Sequence, residues 1–157
     1  MDRLMKSFWR FAKRGPQIAF AHGKGPDFVL LLTTIGRKSG LPRVTPLQYE
    51  EVDGLFYVAA ARGQRADWFR NIQANPVVEV RLKNRQFRGM GQPITDPARI
   101  ADFLQVRFQR HPYMLGAMFL AQGWSPRPNR AHLEQYAANR AMVIIRPDEQ
   151  GKDNSGK

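Results

Sequence analysis

The dipeptide Asp53-Gly54 stands between two β-rich apolar runs and constrains the chain more than any other feature. Such a pair tolerates the positive φ angles of a two-residue hairpin, so it joins antiparallel neighbours. The runs around it are short and alike. Phe28–Ile35 reads as a buried strand, Arg43–Val52 and Leu55–Ala61 as the arms of the hairpin, and Val77–Lys83 and Gln86–Ile94 as two more strands. In Val77–Lys83, Val78, Val80 and Leu82 point one way and Glu79, Arg81 and Lys83 the other. Gly36–Pro42 turns the chain after the first strand, and Asn84-Arg85 is the predicted turn after the fourth. Gly89 and Gly91 predict a bulge or a close approach of another chain segment. Short antiparallel strands of this kind predict a small barrel rather than a βαβ sheet.

Helices occupy other stretches. Residues 2–14 are amphipathic, with Leu4, Phe8 and Phe11 against Arg3, Lys6, Arg10, Lys13 and Arg14, and Gly15-Pro16 stops them. This helix either packs on the domain or lies on an anionic lipid surface. Asp67–Ala74 is a short helix with Asp67 as cap and Asn75-Pro76 as its end. After Ile94 come a helix capped by Asp96 and running to about Arg110, an apolar helix Tyr113–Ala121, and weakly helical residues 131–138. Ala141–Ile145 returns to strand. The predicted class is mainly β with helices (α+β): about six antiparallel strands, an N-terminal helix, and a helical insertion before the last strand. Residues 1–147 form one expected domain, and residues 148–157 a disordered polar tail.

Charge narrows the partners. The 157 residues hold 25 Lys+Arg against 13 Asp+Glu, a formal net charge of +12. Such an excess favours an anionic partner: a phosphorylated cofactor, a nucleic acid or an acidic membrane surface. Cysteine is absent, which excludes disulfides, thiol catalysis and iron–sulfur sites and is compatible with a cytoplasmic location. No apolar run approaches the roughly 20 residues of a membrane-spanning helix. Basic residues interrupt the N-terminal apolar positions, so no signal peptide is expected. His22, His111 and His132 have no metal-site spacing, so no metal is expected. Gly36-Arg37-Lys38-Ser39 lacks the upstream glycine of a phosphate-binding P-loop, and Pro42 forbids the helix that should follow.

The segment Thr33–Leu47 carries the chemistry. Two glycines let its backbone turn tightly, Arg37, Lys38 and Arg43 add charge, and Ser39 and Thr45 add hydroxyls. The set suits a phosphate or a carboxylate, and it equally describes a solvated basic turn. A second segment, Ala60–Asn71, follows the hairpin. If the ends of the first and third strands share a rim, Arg62 and Arg65 reinforce the first turn, Trp68 offers a flat wall, and Asn71 a hydrogen bond to a ring carbonyl or amide.

Together these residues resemble a known family. Thr-Thr-x-Gly-Arg-Lys-Ser-Gly-x-Pro-Arg-x-Thr-Pro-Leu, then Asp-Gly, Ala-x-x-Gly, Trp-x-x-Asn and Ala-Asn-Pro-x-Val-x-Val, is similar to the deazaflavin-dependent nitroreductase family. The matching motifs run from Thr33 to Val80. The resemblance implies a split β-barrel of the flavin-reductase type and binding of the 8-hydroxy-5-deazaflavin coenzyme F-420, with flavin mononucleotide (FMN) as the alternative. By resemblance, Arg37, Lys38, Ser39 and Arg43 hold the phosphate and acidic tail. Thr45, Pro46 and Leu47 lie along the ring, Ala60, Ala61, Arg62 and Gly63 close the rim, and Trp68 and Asn71 support the ring region. The loop Arg62–Asp67 is shorter and more basic than is usual in the family.

The implied function is an oxidoreductase that moves a hydride between the deazaflavin and an apolar or planar electron-poor molecule: an enone, a quinone or a nitro compound. Tyr136, His132 and Tyr113 are the candidate proton donors, and the apolar helix with Met114, Leu115, Met118 and Phe119 is a candidate pocket wall. The alternatives are a non-catalytic cofactor- or lipid-binding barrel and, further off, a nucleic-acid-binding domain. Either a monomer or a homodimer fits, with or without peripheral contact to an anionic membrane through the N-terminal helix.

Overall fold

A computed structural model describes residues 29–148. The helix expected over residues 2–14 and the tail after Asp148 lie outside the described residues. The described chain runs β1 (Val29–Ile35), β2 (Pro42–Val52), β3 (Leu55–Ala60), a 3-10 turn at Gly63–Arg65, α1 (Asp67–Ala74), β4 (Val77–Leu82), β5 (Arg85–Ile94), α2 (Pro97–Arg110), α3 (Pro112–Ala121), α4 (Arg130–Ala137) and β6 (Ala141–Pro147). The six strands form a closed antiparallel barrel in the order β1-β2-β3-β6-β5-β4, and β4 pairs with β1 to complete it. This is the α+β barrel that the strand pattern predicts, with its helical insertion before the last strand.

The turns set the register. Val52 pairs with Leu55 across Asp53-Gly54, whose φ angles of 53° and 80° are those of the expected hairpin. The next hairpin differs from expectation by one residue. Leu82 pairs with Arg85, so the turn is Lys83-Asn84, with Lys83 at φ 38°. Arg85 is drawn into the strand by an ion pair to Glu51 at 3.0 Å and by its guanidinium lying over Phe56 and Phe87.

Strand periodicity divides two cores. Leu30, Leu32, Phe56, Val58, Val78, Val80, Leu82, Val143 and Ile145 fill the barrel interior with Phe87. Trp68, Phe69 and Ile72 of α1 join them. Met142 and Ile144, pointing the other way along β6, pack with Ile94, Ile100, Phe103, Leu104, Leu115, Phe119 and Leu133 in a second core under the helices. Residues 141–145 of β6 are therefore apolar without interruption because both faces are covered there, and the exposed Arg146 follows. Gly91 marks a close approach, not a bulge: a Cβ there would stand 3.1 Å from Ile72 Cγ2 and from Val143 Cγ1. Gly89 does the same, its added Cβ falling 2.6 Å from the Arg146 carbonyl oxygen.

Caps hold the helices. Asp96 accepts from the Ala98 N–H at 3.0 Å, a bond typically worth about 1 kcal/mol. Asp67 is the first residue of α1 rather than its cap, and its carboxylate takes the Arg37 guanidinium instead. Arg130 pins α4 to α2 through Asp102 at 2.7 Å, and this hydrogen bond raises the guanidinium above its ordinary pKa.

Candidate functional site

Between the barrel wall and the helices lies a cavity of about 680 Å³. That is within the size of small-molecule sites. Its barrel side is Thr45, Pro46, Leu47 and Gln48 of β2 and the small residues Ala59, Ala60 and Ala61 at the end of β3. Its helical side is Phe103, Leu104 and Arg107 of α2, Leu115, Met118 and Phe119 of α3, and Tyr136 of α4. Arg62, Asp67, Trp68 and Arg140 also border it.

Of the residues singled out from the sequence, the cavity thus gathers Thr45, Pro46, Leu47, Ala60, Ala61, Arg62, Trp68 and Tyr136, with Leu115, Met118 and Phe119 from the apolar helix. Arg37, Lys38, Ser39, Arg43, Gly63, Asn71, Tyr113 and His132 are not in its lining. The basic turn nonetheless adjoins it, because Arg37 Nη2 reaches Asp67 Oδ1 at 3.3 Å and Asp67 is on the cavity border.

The basic turn is held from behind. The Asn71 carboxamide is 3% exposed. Its oxygen accepts from the Arg37 backbone N–H at 3.1 Å and from Arg37 Nη1 at 3.0 Å, and its Nδ2 donates to Thr34 Oγ1 at 3.2 Å. Ser39 Oγ accepts from the Leu41 N–H at 3.2 Å, and the Gly36 N–H donates to the Leu41 carbonyl at 2.8 Å. Arg37, Ser39 and Asn71 therefore spend their polar groups on the turn. Lys38, Arg43, Arg62 and Arg65 are exposed, and none has an ion-pair partner among the described residues. These four cations are the uncommitted charge beside the cavity.

Gly63 acts through packing. It has φ 60°, and a Cβ on it would stand 2.7 Å from the Asn139 carbonyl oxygen. This contact brings the β3 end against the residues before β6. There Arg140 donates to the Ala61 carbonyl at 3.1 Å and to Gln122 Oε1 at 3.2 Å, with its guanidinium 4.3 Å from the Tyr136 ring centre. Tyr136 donates its hydroxyl to the same Gln122 oxygen at 3.1 Å and stacks on Phe119 at 4.3 Å. His132 belongs to the α4 cap: its N–H donates to Asn129 Oδ1 at 2.8 Å and its Nδ1 accepts from the Asn129 N–H. Tyr113 is 92% exposed on the outer side of α3. Of the three candidate proton donors, Tyr136 alone borders the cavity.

Arg107, Arg140, Gln48 and Gln122 escaped the sequence reading. Arg107 had a signal. It falls on the apolar stripe of α2, seven residues after Ile100 and three after Leu104, where a charged residue is unusual. Arg140 also had one, standing four residues after Tyr136.

Known proteins resemble the chain in sequence and in fold. The family model described as F420H(2)-dependent quinone reductase matches residues 6–115. The F420H(2)-dependent quinone reductase Rv1261c of Mycobacterium tuberculosis is 32% identical over 68 residues, covering 41% of this chain and 46% of that protein. The chain so spans about half the length of the curated relatives it matches. Among solved structures, the conserved hypothetical protein Rv2991 from Mycobacterium tuberculosis superposes with a TM-score of 0.57 at 17% identity, over 77% of this chain and 73% of that one. A structure titled F420-H2 dependent reductase (FDR-A) gives 0.51 at 22% identity, over 75% of this chain and 93% of that one. At these identities the two structures speak for the barrel fold.

Proposed function

The chain belongs to the F420H(2)-dependent quinone reductase family, and from that premise we propose that it reduces an apolar, planar acceptor, a quinone first, with hydride from a reduced deazaflavin. The observation that carries this reading is the continuity of two unlike surfaces. A largely apolar cavity walled by Thr45–Gln48, Ala59–Ala61 and the helices adjoins a turn with free cations.

The residues present fit coenzyme F-420. Small side chains at Ala59, Ala60 and Ala61 leave room beside β2 for a flat ring system. Lys38, Arg43, Arg62 and Arg65 would hold the phosphate and acidic tail by charge-assisted hydrogen bonds. Arg37, Ser39 and Asn71 would act indirectly, by fixing the turn that presents Lys38 and Arg43. When bound, the coenzyme supplies the hydride. The chain's own part is orientation and exclusion of water: Phe103, Leu104, Leu115, Met118 and Phe119 would give the acceptor a dry apolar wall. Tyr136, with its hydroxyl on Gln122, would carry the proton that the reduced acceptor needs.

Titration of the protein with F-420 and, separately, with FMN, followed by cofactor fluorescence, tests the cofactor. The reading expects F-420 to bind and FMN not to compete. Reduced coenzyme with a naphthoquinone then tests turnover. Binding without oxidation of the coenzyme would make the protein a carrier, and FMN binding alone would transfer the same cavity to flavin chemistry.

A further inference from the structure

Arg107 carries a charge that the fold buries without fully balancing. Its side chain is 8% exposed, yet it borders the cavity. Among the charged residues of that lining, Arg62 and Asp67 are exposed and Arg140 half-buried; Arg107 alone is buried. Its Nε donates to Glu50 Oε1 at 3.4 Å and its Nη2 to Gln48 Oε1 at 3.3 Å. The Phe103 ring centre lies 6.0 Å from its Cζ. Nη1 has no partner among the described residues.

Glu50 is the one carboxylate in contact with Arg107 among the described residues, and it is shared. It also takes Arg110 Nη1 at 3.2 Å and His111 Nε2 at 2.9 Å. One negative charge therefore faces two guanidiniums. The side chains of Arg110 and His111 are 42% and 43% exposed, so water screens them. The surplus that water screens least is at Arg107, whose side chain is 8% exposed and borders the cavity. A mostly buried positive charge with a spare N–H pair beside a largely apolar cavity is poised for negative charge that appears during a reaction.

We propose that Arg107 is a catalytic residue that donates to the acceptor's carbonyl oxygen and stabilises the negative charge growing there. The proposal rests on the reading that hydride transfer occurs in this cavity. In the step, the donor C–H bond of the reduced deazaflavin breaks and its hydrogen leaves with the electron pair. One carbonyl oxygen of the quinone accepts both, an O–H bond forms there, and the displaced electron pair passes through the ring to the other carbonyl oxygen. The deazaflavin is oxidised and the quinone becomes a hydroquinone monoanion, with its oxyanion against Arg107. A proton delivered through Tyr136 then gives the neutral hydroquinone. The acceptor class is thereby a carbonyl compound whose reduced form is an oxyanion.

The test is a single-turnover measurement. Wild-type protein and the variants Arg107→Met and Arg107→Lys are loaded with reduced F-420 and mixed with naphthoquinones of graded basicity in their reduced oxygens. Arg107→Met is expected to slow hydride transfer by about 10²-fold or more, most on the most basic oxygens, with F-420 affinity changed by less than about threefold. Arg107→Lys is expected to be slowed about tenfold with the same trend, and it decides the matter alone if Arg107→Met does not fold. A variant as fast as wild type overturns the proposal. Equal slowing across the series together with weakened F-420 binding also overturns it, since that is the mark of a merely structural ion pair. Wild-type protein that binds no F-420 or reduces no quinone instead overturns the reading on which the proposal stands.

Discussion

Asn71 binds Arg37 twice, through the backbone N–H at 3.1 Å and through Nη1 at 3.0 Å, from a position 34 residues along the chain. One buried carboxamide thus joins α1 to the turn between β1 and β2. Replacing it with alanine leaves Thr34 Oγ1 and the Arg37 N–H without their partner. Asn71→Ala is expected to cost about 1–3 kcal/mol in urea unfolding and to weaken F-420 binding through a loosened turn. An unchanged unfolding midpoint would refute the role given to Asn71.

Lys38 and Arg43 are exposed and uncommitted, so their removal should leave the fold alone. Lys38→Ala and Arg43→Ala are each expected to change stability by less than about 0.5 kcal/mol and to weaken F-420 binding about tenfold. The double variant should also show a shallower loss of affinity with added salt. Fluorescence titration at two ionic strengths reads both effects, and equal salt dependence in wild type and double variant would remove these residues from the tail site.

Tyr136→Phe deletes a hydroxyl that faces the cavity border and keeps the ring stacked on Phe119. Its expected signature is a fall in kcat on the order of 10²-fold with F-420 affinity unchanged. Steady-state rates with a naphthoquinone, set beside fluorescence titration, measure it. A kcat equal to wild type would move the proton to water.

Gly89→Ala sets a Cβ against the backbone of β6, where no rotamer can yield. It is expected to destabilise by about 1–3 kcal/mol. Gly91→Ala meets two side-chain methyls instead and should cost less, because Ile72 and Val143 can shift by a few tenths of an ångström. Urea midpoints of the two variants give the order, and a reversed order would contradict the packing described at these positions.

Local signals carried much of this fold. Asp53-Gly54 announced its hairpin because both φ angles must be positive there, and the alternation of Val78, Val80 and Leu82 announced the barrel face of β4. The turn at Lys83-Asn84 was misplaced by one residue because Arg85 joins its strand through Glu51, 34 positions away. Such a contact leaves no trace in turn chemistry. Likewise Asp67 looks like a cap until Arg37, distant in sequence, claims its carboxylate. At the site, the β2 and β3 residues were legible as a motif. Arg107 and Gln48 meet across 59 residues, and only the closed barrel brings them together. The stripe of α2 showed that Arg107 would be buried, but not beside what.

The barrel order places β6, the last strand among the described residues, between β3 and β5. On a ribosome, β1 to β5 therefore emerge as an open curved sheet with two bare edges, and one face of the helical layer has no floor. Both gaps are filled by the same seven residues, Ala141–Pro147. Until they leave the exit tunnel, the nascent chain offers unpaired β3 and β5 backbone to any neighbouring strand. Protection from aggregation during synthesis thus hinges on Ala141–Pro147, and a premature stop just before Ala141 would produce a sticky fragment rather than a smaller barrel.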